Sequence, residues 1–136
     1  MLTSNIELGA NYLGYLSIIG VATIAYPTLS GIYGRKRDRQ RNFLNQLVRW
    51  GLIIALGSAL SHGLLMTQQE NINFYDLKTY WMYGEGLLTL NLIIFLAFNF
   101  SDLKSDLKKI VYLIYALLFL LGCHLAGAIA HLGLVN

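Results

Sequence analysis

Four ionisable side chains sit where the surrounding sequence is apolar: His62, Glu85, His124 and His131. A charged or titratable group at membrane depth is expensive, so it turns toward a bundle interior, a cavity or a partner, and marks the first place to look for function. Histidines on two different helices can ligate a haem iron axially. His62 and His124 are therefore candidate ligands of a haem b. The same histidines with Glu85 and His131 offer the nitrogen and oxygen donors that zinc, iron or copper accept, which makes a metal site the alternative. Neither reading has a ligand motif behind it. The chain contains no His-Glu-x-x-His and a single cysteine, Cys123, which is adjacent to His124 in sequence but about 100° away on a helix.

A structural reading competes. His62 and His131 suit the membrane interface, Glu85 suits the wet outer boundary, and any of the four can serve as a helix-to-helix hydrogen bond. Asn91, Ser17 and Thr23 are expected to act as such interhelical ties. No nucleophile and base are paired, and no phosphate-cradling loop is present, so an independent enzyme acting on a soluble substrate ranks last.

These residues are carried by apolar segments. Crossing a hydrocarbon core takes roughly 20 helical residues, and residues 10–33, 44–66, 80–100 and 110–134 each supply them. Composition agrees: of 136 residues 56% are hydrophobic and 12% charged, and the mean hydropathy is +0.54. That is more apolar surface than one water-soluble core can hide, and no segment carries the polar stripe of a soluble bundle helix. The expected fold is all-α, an integral membrane four-helix bundle forming a single transmembrane domain over residues 1–136.

Orientation follows from the bias of Lys and Arg toward cytoplasmic loops. Arg35, Lys36, Arg37, Arg39, Arg41 and Arg49 flank the first junction, and Lys104, Lys108 and Lys109 flank the third. Both junctions then face the cytoplasm, and both termini with the 67–79 loop lie on the non-cytoplasmic side. Topology thus accounts for the net charge of +3, and nucleic acid is not an expected partner. The partners expected are the lipid bilayer and other membrane subunits.

Depth can be read from the helical rise. Counted from the inner ends, His62 lies at roughly 27 Å and His124 at roughly 21 Å, while Glu85 lies roughly 22 Å from the inner side on the third span. The three are expected to converge in the outer half, with His131 above them. Ala55, Ala59 and Gly63 on span two, and Gly122, Ala126 and Ala130 on span four, recur every four residues, the spacing that lets helices approach closely. Spans two and four are therefore expected inside the bundle, with Ser58, Ala59, Gly63 and Gly127 leaving room near the histidines. Pro27 is expected to kink span one. No internal repeat stands out.

The layout resembles b-type cytochrome subunits and quinone-reactive membrane anchors. The resemblance is architectural and assigns no residue a role. It implies a small redox subunit in electron transport, with a haem in the outer half. A non-catalytic accessory subunit of a larger complex, or an oligomeric channel or transporter lined by Glu85 and the histidines, are the alternatives.

Overall fold

A computed structural model describes the backbone of residues 2–30, 38–68, 75–103 and 106–133, and the side chains of 7–30, 42–68, 75–77, 79–100, 106 and 108–130. Arg35, Lys36, Arg37 and Lys104 lie outside the described residues. So do the side chains of Arg39, Arg41, Lys78 and His131, whose backbones are helical.

The chain is all-helical over these residues: α1 (Leu2–Leu29), α2 (Asp38–Thr67), α3 (Leu77–Leu103) and α4 (Leu107–Gly133). Each contains a stretch long and apolar enough to cross a membrane, Glu7–Leu29, Asn42–Thr67, Thr79–Phe100 and Lys108–Ala130. Four such helices match the number expected and begin earlier than the apolar runs, while residues 31–33 and 134 of the expected spans lie outside the described residues. Pro27 falls in the last turn of α1 rather than in its middle, where a missing N–H disturbs little of the helix that follows. Ser30 N–H still bonds Tyr26 O at 3.0 Å and closes that turn.

Each helix packs against its neighbours in chain order, and α4 closes back onto α1, so α1 and α3 face each other across one diagonal and α2 and α4 across the other. The α1–α2 contact is the densest. Its cause is Gly20: a Cβ there would lie 2.6 Å from the backbone nitrogen of Ala55, so only glycine permits this approach. The core runs along the bundle axis through Val21, Ile24, Val48, Leu52, Ile93, Leu96, Ile114 and Leu117. The outer surface carries large apolar side chains such as Tyr26, Trp50, Phe98, Tyr112 and Phe119. Lipid is as apolar as these groups, so tight packing and close backbone approach, rather than escape from water, would hold such helices together in a bilayer.

Two expectations fail here. Gly122, Ala126 and Ala130 face outward, with Gly122 meeting nothing within 4 Å, and α4 is both the most apolar helix and the least covered. Four-residue spacing fixes which residues share a face but not where the face points, and α4 instead turns Ile110, Ile114 and Leu117 inward. Among the expected ties, Ser17 reaches Ala55 O across the α1–α2 seam at 3.5 Å, whereas Thr23 and Asn91 bond Ile19 O and Leu87 O of their own helices. A side chain that satisfies itself on the preceding turn has no need of a neighbour.

The structure also reveals a repeat that residue identity conceals. The α1–α2 and α3–α4 hairpins share one burial pattern. On the first helix of each, Ser17 matches Thr89, Val21 matches Ile93, Ile24 matches Leu96 and Thr28 matches Phe100, and all eight are buried. On the second, Val48, Leu52 and Ala55 match Ile110, Ile114 and Leu117. Exposed positions match as well, Tyr26 with Phe98 and Trp50 with Tyr112.

Candidate functional site

The two hairpins each place one histidine by the same device. His62 on α2 rests over Gly14 of α1, where a Cβ would lie 3.4 Å from the ring, and its Nδ1 is 2.8 Å from the carbonyl of Ala10, one turn earlier on α1. His124 on α4 rests over Gly86 of α3, where a Cβ would lie 3.2 Å from the ring, and its Nδ1 is 3.2 Å from the carbonyl of Met82, again one turn earlier. A carbonyl oxygen only accepts, so each Nδ1 carries the proton and donates. The same bond fixes each ring's orientation, and in a neutral ring it makes Nε2 the nitrogen with the lone pair. Among the described residues neither Nε2 has a hydrogen-bond partner.

Since α2 and α4 are diagonal, the rings meet across the bundle axis. Their centroids are 6.3 Å apart and their planes stand at 86°. The core closes below them with Ser17, Ala55, Ser58 and Thr89, all buried. Ser58 donates to carbonyls of its own helix.

Glu85 stands beside His124. Oε1 accepts a 2.6 Å bond from the indole N–H of Trp81, and Oε2 lies 3.6 Å from where a Cβ of Gly127 would be, three residues past His124. Among the described residues Oε2 is the one buried side-chain polar atom without a hydrogen-bond partner. Nearby, Tyr83 Oη donates to Met66 O at 3.1 Å and ties α3 to the C-terminal end of α2.

Of the four residues expected to form a site, His62 and His124 thus come together, Glu85 joins on the α3–α4 side, and the side chain of His131 lies outside the described residues. Gly127 does leave space next to the site, for Glu85, and a Cβ at Gly63 would meet nothing within 4 Å. Among the described residues no group of three or more His, Cys, Asp or Glu side chains is close enough to hold a metal ion. The residues that sequence reading misses are Gly14, Gly86 and Trp81. The first two become visible only when the hairpins are overlaid, because a glycine inside an apolar helix otherwise reads as a packing residue. Compared with known proteins, the chain matches no family model, no curated protein and no solved structure.

Proposed function

We propose that this chain is a multi-pass membrane protein, with both termini on the non-cytoplasmic side, that holds a haem b between His62 and His124 and serves as a small redox subunit. The observation that carries the reading is the ring pair. A metal–nitrogen bond of about 2 Å, with each ring centre about 1 Å beyond its nitrogen, puts the centroids of two axial imidazoles about 6 Å apart. The observed 6.3 Å suits that requirement, as it also suits direct edge-to-face packing of the two rings. Each Nδ1–H is engaged by a backbone carbonyl, the outer-shell bond that orients metal-binding histidines and raises their basicity. The donor set would suit a haem iron held by one imidazole nitrogen from each of two diagonal helices.

A haem b bound there supplies reversible one-electron chemistry. The chain's own part is to orient two neutral imidazoles, to keep water from them with the Ser17, Ala55, Ser58 and Thr89 floor, and to place one carboxylate, Glu85, beside the pair. A haem held there exchanges electrons with a partner, and another membrane component is the partner proposed, which makes the chain a subunit of a larger assembly.

The test is an absorption spectrum of protein purified from haem-replete cells. A Soret band is expected, shifting on reduction as a six-coordinate b-type haem does, and lost in both His62→Ala and His124→Ala. A colourless wild-type protein that folds normally would sink the proposal.

A second reading draws on the same bonds. His62 and His124 each fasten their helix to the backbone of the helix before it, and that alone suits an accessory subunit whose histidines are structural. In that case both alanine variants lose stability while no chromophore is ever present.

A further inference from the structure

The two hairpins differ most sharply at the positions around Glu85. In the first hairpin the matching residues are Gly9, Leu13 and Leu65, and Leu65 Cδ1 fills the space over Gly9, 3.6 Å from where its Cβ would be. In the second they are Trp81, Glu85 and Gly127; the glycine now lies on the second helix, and it is the Glu85 carboxylate oxygen that comes within 3.6 Å of where its Cβ would be. Leu13 of the first hairpin is thus matched in the second by a half-buried carboxylate with one buried oxygen.

A buried carboxylate oxygen without a partner is costly at membrane depth. Oε1 is satisfied by Trp81, but Oε2 is not. Among the described residues Glu85 has no ion-pair partner, the one salt bridge being Lys109 to Asp106. The titratable groups facing it are His124 and, across the axis, His62, and both are neutral when Nδ1–H donates and Nε2 ligates. On α3 itself Trp81 and Tyr83 add no charge. A positively charged occupant of the site would compensate it.

We infer that Glu85 is the counter-charge to the oxidised haem and sets its reduction potential. The inference rests on the haem reading above. An iron(III) porphyrin core with two neutral imidazoles carries one positive charge, and gaining one electron removes it, with no bond made or broken. Glu85 therefore favours the oxidised form and holds the potential low. A unit charge about 10 Å away, at an effective dielectric near 20, moves such an equilibrium by about tenfold. Glu85 acts through the field it creates and ligates nothing. The asymmetry of the hairpins then has a role: shared residues hold the group, and the unshared ones tune it from the α3–α4 side.

The experiment is a redox titration of purified protein with chemical mediators, read at the haem absorption bands. In Glu85→Gln the Soret band should persist, and the ferrous-to-ferric ratio at fixed ambient potential should rise about tenfold, an upward midpoint shift of about 59 mV. A retained band with an unchanged midpoint overturns the inference and leaves the haem reading intact. A wild-type protein without a band overturns both. Should Glu85→Gln fail to retain haem, Leu13→Glu in the wild-type background places a second carboxylate at the matching point of the first hairpin. It should lower the midpoint, and no change there also overturns the inference.

Discussion

Hairpin α1–α2 closes on glycine and alanine, whereas hairpin α3–α4 closes on leucine. Gly20 and Ala55 bring the first pair into backbone contact, while the matching residues of the second are Leu92 and Leu117, both packed in or against the core. Contacts across the first seam are correspondingly denser. Yet each hairpin presents its histidine in the same way, with the glycine shelf and the carbonyl one turn earlier. Histidine placement therefore depends on local register between two helices and tolerates different packing below. The tight hairpin is a clamp. The looser one has room for Trp81, Glu85 and Gly127, where departures from an apolar seam can be accommodated.

The largest effect expected from breaking this contrast is at Gly20. Gly20→Leu drives a side chain into the α2 backbone and should cost about 3 kcal/mol by overpacking. Leu92→Ala, at the matching position, should cost about 2 kcal/mol because Leu92 is only partly buried and its loss leaves a cavity that can partly close. Reversible unfolding in mixed micelles compares the two. Equal costs would mean that the hairpins do not differ in closeness.

Trp81 comes next. Trp81→Phe leaves Glu85 with neither carboxylate oxygen bonded and should cost about 1 kcal/mol, the usual scale of a polar contact within a membrane bundle. Trp at position 9, the matching site, should gain nothing, since Leu13 offers no acceptor. If Trp81→Phe is neutral in the same unfolding assay, the 2.6 Å bond contributes nothing to the fold.

Smaller still is the pair of shelf glycines. A Cβ at Gly86 would come within 3.2 Å of the His124 ring and at Gly14 within 3.4 Å of His62. Alanine raises helix propensity by about 0.5–1 kcal/mol over glycine, which roughly offsets the contact, so stability should change little in either variant. The rings should move by a few tenths of an ångström, more in Gly86→Ala than in Gly14→Ala. Nitrogen NMR of the Nδ1–H groups reads this directly, and identical shifts in the two variants would contradict the asymmetry.

How far the sequence discloses this arrangement varies by residue. The four spans are legible because an apolar run of that length has few other uses. That His62, Glu85 and His124 share a depth is legible from helical rise, since rise does not depend on neighbours. Facing is not legible, because it is decided by how helices rotate against one another. Hence Ala55 is buried in the α1–α2 seam while Gly122 and Ala126, with the same spacing pattern, look outward. The acceptors Ala10 O and Met82 O are backbone atoms and leave no trace in residue type. The likeness of the hairpins is hidden because what they share is burial and register, with Gly14/Gly86 and His62/His124 among the few identities they keep.

The smallest expected effect lies at the end of the bundle away from the histidines, where the hairpins also part company. Leu44 is inside α2, which already begins at Asp38, but the matching Asp106 stands just before α4, which begins at Leu107. Asp106 Oδ1 accepts from the Lys109 backbone N–H at 3.3 Å, and Oδ2 pairs with Lys109 Nζ at 3.2 Å. The first bond satisfies one of the free N–H groups of the first turn, as an N-cap does. The Lys109 backbone N–H foremost, and its side chain after it, hold the Asp106 carboxyl below the usual carboxylate range. A depressed folded value means that the cap is at full strength above the ordinary carboxylate pKa and is lost as pH falls through the lower, folded one. Asp106→Ala should therefore speed amide exchange in the first turn of α4 at neutral pH, with the difference from wild type shrinking in acid. Asp106→Asn keeps an acceptor and loses the charge, so it should fall between them and show no acid dependence of its own. Salt should erode only the Lys109 ion pair, which is exposed. Leu44→Asp should do nothing comparable for α2, because a carboxylate within a helix finds no free N–H beside it. A wild-type protein whose first α4 turn exchanges as fast as that of Asp106→Ala at neutral pH would show that the cap contributes nothing.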